Sequence, residues 1–263
     1  CLGLFHDLNT ILSRTMIEIE DLHKSFEGHA VLQGVSFQVA KGELLALIGR
    51  SGYGKSILLK HVAGLIRPDQ GRVLIDGNDL GFLRGKKLEE MRSRFGFVFQ
   101  NGALFDSLTV FENVAFPLKE KTKFSDHEIK KRVLSILDEV GLSGAENKYP
   151  AQISGGMVRR AALARSLVRN PEIMLFDEPT TGLDPVIGHA ILNLIDSCHK
   201  RFEFTGILVT HEIPKAFEIV QKVAMLHEGR ILIVTPPQGI LSSSDPVVHQ
   251  FITGSIDGPI QYR

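Results

Sequence analysis

The sequence predicts an α/β fold: a mostly parallel sheet with helices on its faces, antiparallel strands near its start and a helical insertion in its middle. Three observations predict it. Period-two alternation of apolar residues occupies the early part of the chain. A glycine-rich loop joins a short apolar run to a helical pattern. In the later part, short apolar runs alternate with amphipathic stretches, as βα units require.

Taken in order, residues 1–15 are mildly apolar but carry His6, Asp7, Asn9 and Arg14. They lack a basic start and a small-residue cleavage site, so they read as an extension outside the fold rather than as a signal peptide. Segment 16–21 alternates Ile17 and Ile19 with Glu18 and Glu20 and predicts a strand. Segment 31–39 does the same with Val35, Phe37 and Val39, and segment 72–76 with Val73 and Ile75. Segment 43–48 is short and apolar, like a buried parallel strand. Behind the glycine-rich loop, Leu58, Leu59, Val62 and Leu65 recur at helical spacing.

Segment 95–99 predicts a buried strand leading to Gln100. Residues 110–168 are helical in pattern, with Ile129, Val133, Ile136, Leu137 and Val140 on one stripe. Ser125 and Glu128 before that stripe form a capping-box pattern. Strands over 173–176, 206–210, 223–226 and 230–234 then alternate with helices over 186–200 and 214–220. Residues 16–240 thus read as one unit, with a helical lobe over about 101–165 and a C-terminal helix and tail over 241–263.

A chain of 263 residues can bury a large core. Its 30 basic and 30 acidic side chains balance, so nothing in its charge supports nucleic-acid binding. The two cysteines, Cys1 and Cys198, follow no metal or redox spacing, which fits a reducing compartment. No apolar run approaches the roughly 18 residues that cross a bilayer.

The loop Gly49-Arg50-Ser51-Gly52-Tyr53-Gly54-Lys55-Ser56 fits G-x-x-x-x-G-K-[ST] between a strand and a helix. Glycines let successive N–H groups turn inward as an anion nest, and the helix N-terminus adds partial positive charge. Lys55 can reach terminal phosphates and the Ser56 hydroxyl can ligate Mg²⁺. Downstream, four apolar residues, 173–176, end in Asp177 and Glu178. Carboxylates at the C-terminal end of a sheet strand stand where ligands bind in α/β folds. Asp177 suits a magnesium contact and Glu178 a general base for water. Ser154-Gly155-Gly156 at a helix start would alone read as an ordinary capped helix.

The order of these motifs, with Gln100, Gly182-Leu183-Asp184 and His211, resembles the ATP-binding cassette (ABC) family from about Ile17 to Val234. The resemblance implies a RecA-like P-loop NTPase core, an antiparallel β subdomain and an inserted α-helical subdomain, with ATP and Mg²⁺ as ligands. It implies that residues 49–57, through Ile57, cradle the phosphates. It makes Gln100 a γ-phosphate and Mg²⁺ sensor, Asp177 a Mg²⁺ residue, Glu178 the catalytic base and His211 the switch histidine. By the same resemblance Ser154, Gly155 and Gly156 contact ATP held by a second copy, Asp184 lies in the D-loop, and Phe26 stacks on adenine. Departures are Tyr53 where a small residue is common, Ile57 for a frequent Thr, and Met157 for the usual signature Gln.

Residues 99–118, the Ser154–Met157 stretch with Arg159 to Arg165, and the ending Gln250-Phe251 to Asp257-Gly258-Pro259 resemble the Mce/Mla-type phospholipid-trafficking ATPases. Met157 is usual in that group. The resemblance implies a homodimer with shared ATP sites on the cytoplasmic face of a bacterial inner membrane. Its partners would be transmembrane permease subunits and an Mce-domain lipid-binding protein. Alternatives are the motor of an amino-acid or other small-solute importer, or a soluble cassette ATPase of DNA repair or translation. Balanced charge and a single cassette without a long coiled-coil insertion argue against the last. The apolar residues between Ala103 and Leu118 exceed what one helix face can bury, so part of that segment is expected to dock a partner helix.

Overall fold

The two periodicities of the sequence are sorted into two sheets. The computed structural model describes residues 14–261. Strands β1 (Thr15–Phe26) and β2 (His29–Ala40) form a hairpin. The chain then enters β3 (Leu44–Ile48) and α1 (Lys55–Val62) before β4 (Gln70–Ile75) and β5 (Asn78–Asp79) return to the hairpin. This antiparallel sheet has the order β2-β1-β4-β5. Ile17 lies opposite both Val39 and Ile75, so three apolar side chains meet on one face.

The main sheet is built around continuous apolar runs. After α2 (Gly85–Arg92) come β6 (Phe95–Val98), α3 (Val110–Lys121), α4 (Asp126–Glu139), α5 (Gly155–Leu167) and β7 (Ile173–Asp177). Then follow α6 (Pro185–Phe202), β8 (Thr205–Val209), α7 (Ile213–Ala216), β9 (Lys222–His227) and β10 (Arg230–Thr235). The chain closes with α8 (Pro237–Leu241) and α9 (Pro246–Thr253). The sheet order is β10-β9-β3-β8-β7-β6, parallel throughout except for β10. Every residue of β3, β7 and β8 is buried, as strands covered on both faces must be.

Helices α3, α4 and α5 make the inserted lobe. Both α3 and α4 open with complete capping boxes, Thr109 with Glu112 and Ser125 with Glu128. Val114 of α3, Val133 of α4 and Ala161 of α5 belong to the same apolar cluster as Phe176 and Leu208 of the sheet. The lobe is therefore anchored to the sheet by a shared core.

The structure corrects four boundaries. Arg14 and Thr15, expected outside the fold, are in it: Thr15 pairs with Ala40, and the Arg14 carbonyl accepts the Lys41 N–H. The rest of that expected extension lies outside the described residues. Leu65 is 51% exposed, because α1 ends at Val62 and Gly64 turns the chain through a left-handed conformation. The helix expected over 214–220 stops at Ala216. The expected division at 240 cuts through α8, whose Ile240 is buried in the main core.

Candidate nucleotide site

The fully buried strand β3 delivers the chain to Gly49 at a point that only glycine tolerates. A Cβ there would stand 2.1 Å from the Leu226 carbonyl oxygen, and φ is +145°. Gly54, at φ +95°, caps α1 in a left-handed conformation. Between them Tyr53 N–H donates to the Arg50 carbonyl at 3.4 Å, and Ser51 and Gly52 form the exposed apex. The Tyr53 ring lies edge-on to His227 at 5.3 Å, with the Arg50 guanidinium 5.5 Å from its centre. The extra bulk is thus housed against β9. Ile57 packs on the core beneath the antiparallel sheet.

Six side chains converge at the base of this loop. Lys55 Nζ donates to the Gly49 carbonyl at 2.8 Å and the Arg50 carbonyl at 3.0 Å, and sits 3.7 Å from Glu178 Oε1. Ser56 Oγ donates to Asp177 Oδ1 at 2.8 Å, which joins the start of α1 to the end of β7. His211, just past β8, brings Nδ1 within 3.8 Å of Glu178 Oε2. Thr181 Oγ1 donates to that same oxygen at 3.0 Å.

Burial sets the electrostatics. Desolvation pulls the Lys55 ammonium below its usual pKa, opposed by the Glu178 and Asp177 charges. Desolvation pushes Asp177 above the ordinary carboxylate range, opposed by the Ser56 hydrogen bond. Glu178 has a left-handed backbone, φ 48°, uncommon for a side-chain-bearing residue, fixed by its N–H donating to the Val209 carbonyl at 3.0 Å. A cation, a hydroxyl and two carboxylates beside a glycine loop that ends at a helix N-terminus match what a polyphosphate and its magnesium need: positive charge, hard oxygen ligands and a base.

The other expected residues lie outside this cluster. Gln100, two residues beyond β6, is exposed and makes no hydrogen bond among the described residues. Phe26 ends β1 at 42% exposure, with Lys24 Nζ 5.3 Å from its ring centre. Ser154 caps α5, accepting the Met157 N–H at 3.3 Å. Asp184 caps α6, accepting the Ile187 N–H at 3.0 Å. These two caps pack on each other: a Cβ on Gly156 would stand 2.7 Å from Ile187 Cγ2, and one on Gly155 3.3 Å from Leu183 Cδ2.

Two arginines, which the sequence offered only as part of a resemblance, have positioning roles that it did not reveal. Arg159, buried in α5, donates to the Pro179 carbonyl at 3.2 Å and the Thr181 carbonyl at 3.1 Å. It therefore holds the loop that follows Glu178. Arg165 donates to the carbonyls of Ala103 at 2.7 Å and Gly102 at 2.8 Å, holding the segment after Gln100. The available signal was their setting: arginines in a helix rich in alanine must find partners when buried.

The family model described as ABC transporter matches residues 32–181. Over 244 residues the chain is 43% identical to the probable ribonucleotide transport ATP-binding protein mkl of Mycobacterium leprae, covering 93% of this chain and 70% of that one. It is 37% identical over 252 residues to the intermembrane phospholipid transport system ATP-binding protein MlaF of Haemophilus influenzae, covering 96% of each. It is 42% identical to the chloroplastic protein TRIGALACTOSYLDIACYLGLYCEROL 3 of Arabidopsis thaliana, covering 95% of this chain and 77% of that one. A dimeric post-hydrolysis structure of the ATP-binding cassette MJ0796 with ADP and Pi superposes with a TM-score of 0.77 at 32% identity, covering 84% of this chain and 99% of that one.

Proposed function

Since the chain belongs to the ABC transporter family and hydrolyses ATP with Mg²⁺, we propose that it is the motor of a transporter that moves phospholipids between bacterial membranes. The observation that carries the substrate is the match to MlaF over 96% of both chains. The lipid in the Arabidopsis relative's name points the same way. The name of the Mycobacterium leprae relative favours ribonucleotides as a second reading. No helix among the described residues is long and apolar enough to cross a membrane. In our reading the chain works as a homodimer on transmembrane permease subunits, at the cytoplasmic face of the inner membrane, beside an Mce-domain lipid-binding protein.

Residues 49–57 cradle the phosphates in this reading, and Lys55 balances their charge. Ser56 and Asp177, with Gln100, hold the magnesium, which when bound offsets charge on the phosphate oxygens. Glu178 takes the proton of the attacking water, its carboxylate steadied by Thr181 and its backbone by Val209. His211 stands beside that carboxylate to meet the departing phosphate. Phe26 offers its exposed face to adenine. Ser154, Gly155, Gly156 and Asp184 serve the ATP of the second copy.

Docking on the permease is assigned to the exposed pair Phe105 and Phe116, whose rings lie 5.0 Å apart. Buried Asn113 holds the Phe105 loop through that residue's N–H and carbonyl. The test is ATP-driven transfer of labelled phosphatidylglycerol between proteoliposomes, with this chain and its permease reconstituted together. Transfer should need ATP and fail with Phe116→Asp while nucleotide binding persists. ATP-driven uptake of a ribonucleotide or amino acid without lipid transfer would overturn the lipid assignment.

A further inference from the structure

At the end of α1 opposite the phosphate loop lies a cavity of about 270 Å³, walled by that helix end, β4, the turn after β5, and α2. His61 forms part of the wall and is 1% exposed. Its Nδ1 lies 2.8 Å from the Ile57 carbonyl, one turn back along the helix. A carbonyl only accepts, so Nδ1 carries the ring proton and Nε2 presents a lone pair. Nε2 is the one buried side-chain polar atom without a hydrogen-bond partner among the described residues. The Arg67 carbonyl faces the same ring, but one ring proton cannot serve two carbonyls. Protonation would serve both, yet burial pushes the imidazole pKa down and keeps the ring neutral. Nε2 therefore needs a donor from elsewhere.

The same cavity is cationic. Arg67 lines it, and its guanidinium makes no hydrogen bond or ion pair among the described residues. Arg72 and Arg92 join it, each with one partner already, Glu20 and the Gly64 carbonyl. Asp79, the lone carboxylate of the wall, accepts the Gly81 N–H. Phe82, 84% exposed, and Leu65 stand at the mouth.

We propose that this cavity binds a small hydroxylated anion, a phosphate- or carboxylate-bearing polyol whose hydroxyl donates to His61 Nε2 and whose charge is held by Arg67. The ligand is either a free solute or the polar head of a lipid, whose acyl chains would lie against Phe82 and Leu65.

The full chain, with its phosphate loop saturated by Mg²⁺ and ADP, should be titrated with sn-glycerol 3-phosphate by calorimetry. It should also be floated with phosphatidylcholine vesicles, with and without phosphatidylglycerol. One glycerol phosphate per chain is expected, bound about tenfold more weakly by Arg67→Ala and by His61→Phe. Binding confined to phosphatidylglycerol vesicles, and lost in Arg67→Ala, assigns the site to a lipid head. His61→Phe alters the core, so Arg67→Ala, an exposed change expected to leave ATP hydrolysis at the parent rate, carries the decision. If neither probe binds, or Arg67→Ala binds both as the parent does, the proposal is wrong and a buried water completes His61.

Discussion

Two helices of this chain, α1 and α5, start at glycines, Gly54 capping the first and Gly155-Gly156 opening the second, and the two beginnings differ in how complete they are. The start of α1 is closed within the chain: Lys55 is tied to the loop carbonyls, Ser56 to Asp177, and Glu178 stands beside the lysine. The start of α5 reaches none of these groups. Its cap, Ser154, serves its own helix, and its glycines pack on the Asp184 turn. A glycine-rich helix start is the same local device in both places, an anion seat made of free N–H groups. What differs is the neighbourhood. The resemblance to the family implies that the α5 seat serves a second copy, we propose it on that ground, and the following experiments break or sharpen the contrast.

The largest effect is expected at Glu178. Glu178→Gln keeps the shape but removes the base, so turnover should fall by about 10²–10⁴-fold while ATP still binds. Two chains should then stay closed around ATP, and size-exclusion chromatography of the isolated protein with Mg²⁺ and ATP should show more dimer than for the parent. Turnover at the parent rate would remove Glu178 as the base and turn attention to His211.

The next test separates the two helix starts directly. Lys55→Ala should weaken ATP binding by about ten- to a hundredfold, the worth of a charge-assisted contact. Ser154→Arg should leave binding by the single chain intact and abolish hydrolysis. Mixing the two variants should restore one working site per heterodimer. Equal loss of ATP binding in both variants would mean that the α5 seat acts within its own chain.

A smaller effect should come from Arg159, which links the two regions. Arg159→Met leaves the Pro179 and Thr181 carbonyls without their donor. Each unmet group costs ~1–3 kcal/mol, seen as a lower denaturation midpoint, and turnover should fall as the loop after Glu178 loosens. Parent stability and turnover together would show that α5 does not hold that loop.

The smallest effect concerns Asp177. Its pKa is raised in the folded protein, so the fold favours the protonated form. The stabilisation is present below the unfolded pKa and is lost as pH rises through the folded value. At neutral pH the buried charge is a burden. Asp177→Asn should raise the nucleotide-free Tm by about 2–4 °C, what ~1 kcal/mol gives in a chain near this size. The gain should vanish in acid, and the magnesium-dependent rise in Tm with ATP should be lost. A lower Tm at neutral pH would mean that the Ser56 bond outweighs the burial of charge.

Much of this was legible in the sequence because it is local. Capping boxes, the phosphate loop and the apolar runs of β3, β7 and β8 are patterns within a few residues, and backbone geometry imposes them wherever they occur. Leu65 and residues 217–220 misled because periodicity continues past the point where a left-handed glycine or a single proline-led turn ends the helix.

The sequence alone determined which groups the site would contain: a loop built for anions, a lysine, a hydroxyl and two carboxylates at a strand end. Only the tertiary structure decided which of them meet. The strand order β3-β8-β7 sets the phosphate loop, His211 and Asp177–Glu178 side by side, whereas Gln100, Phe26 and Ser154 are left apart. It also decided that Arg159 would hold the loop behind Glu178 and that His61 would be buried with one nitrogen unmet. The reason is that a hydrogen bond between residues distant in the chain depends on how sheet and helices pack, and no local pattern carries that information.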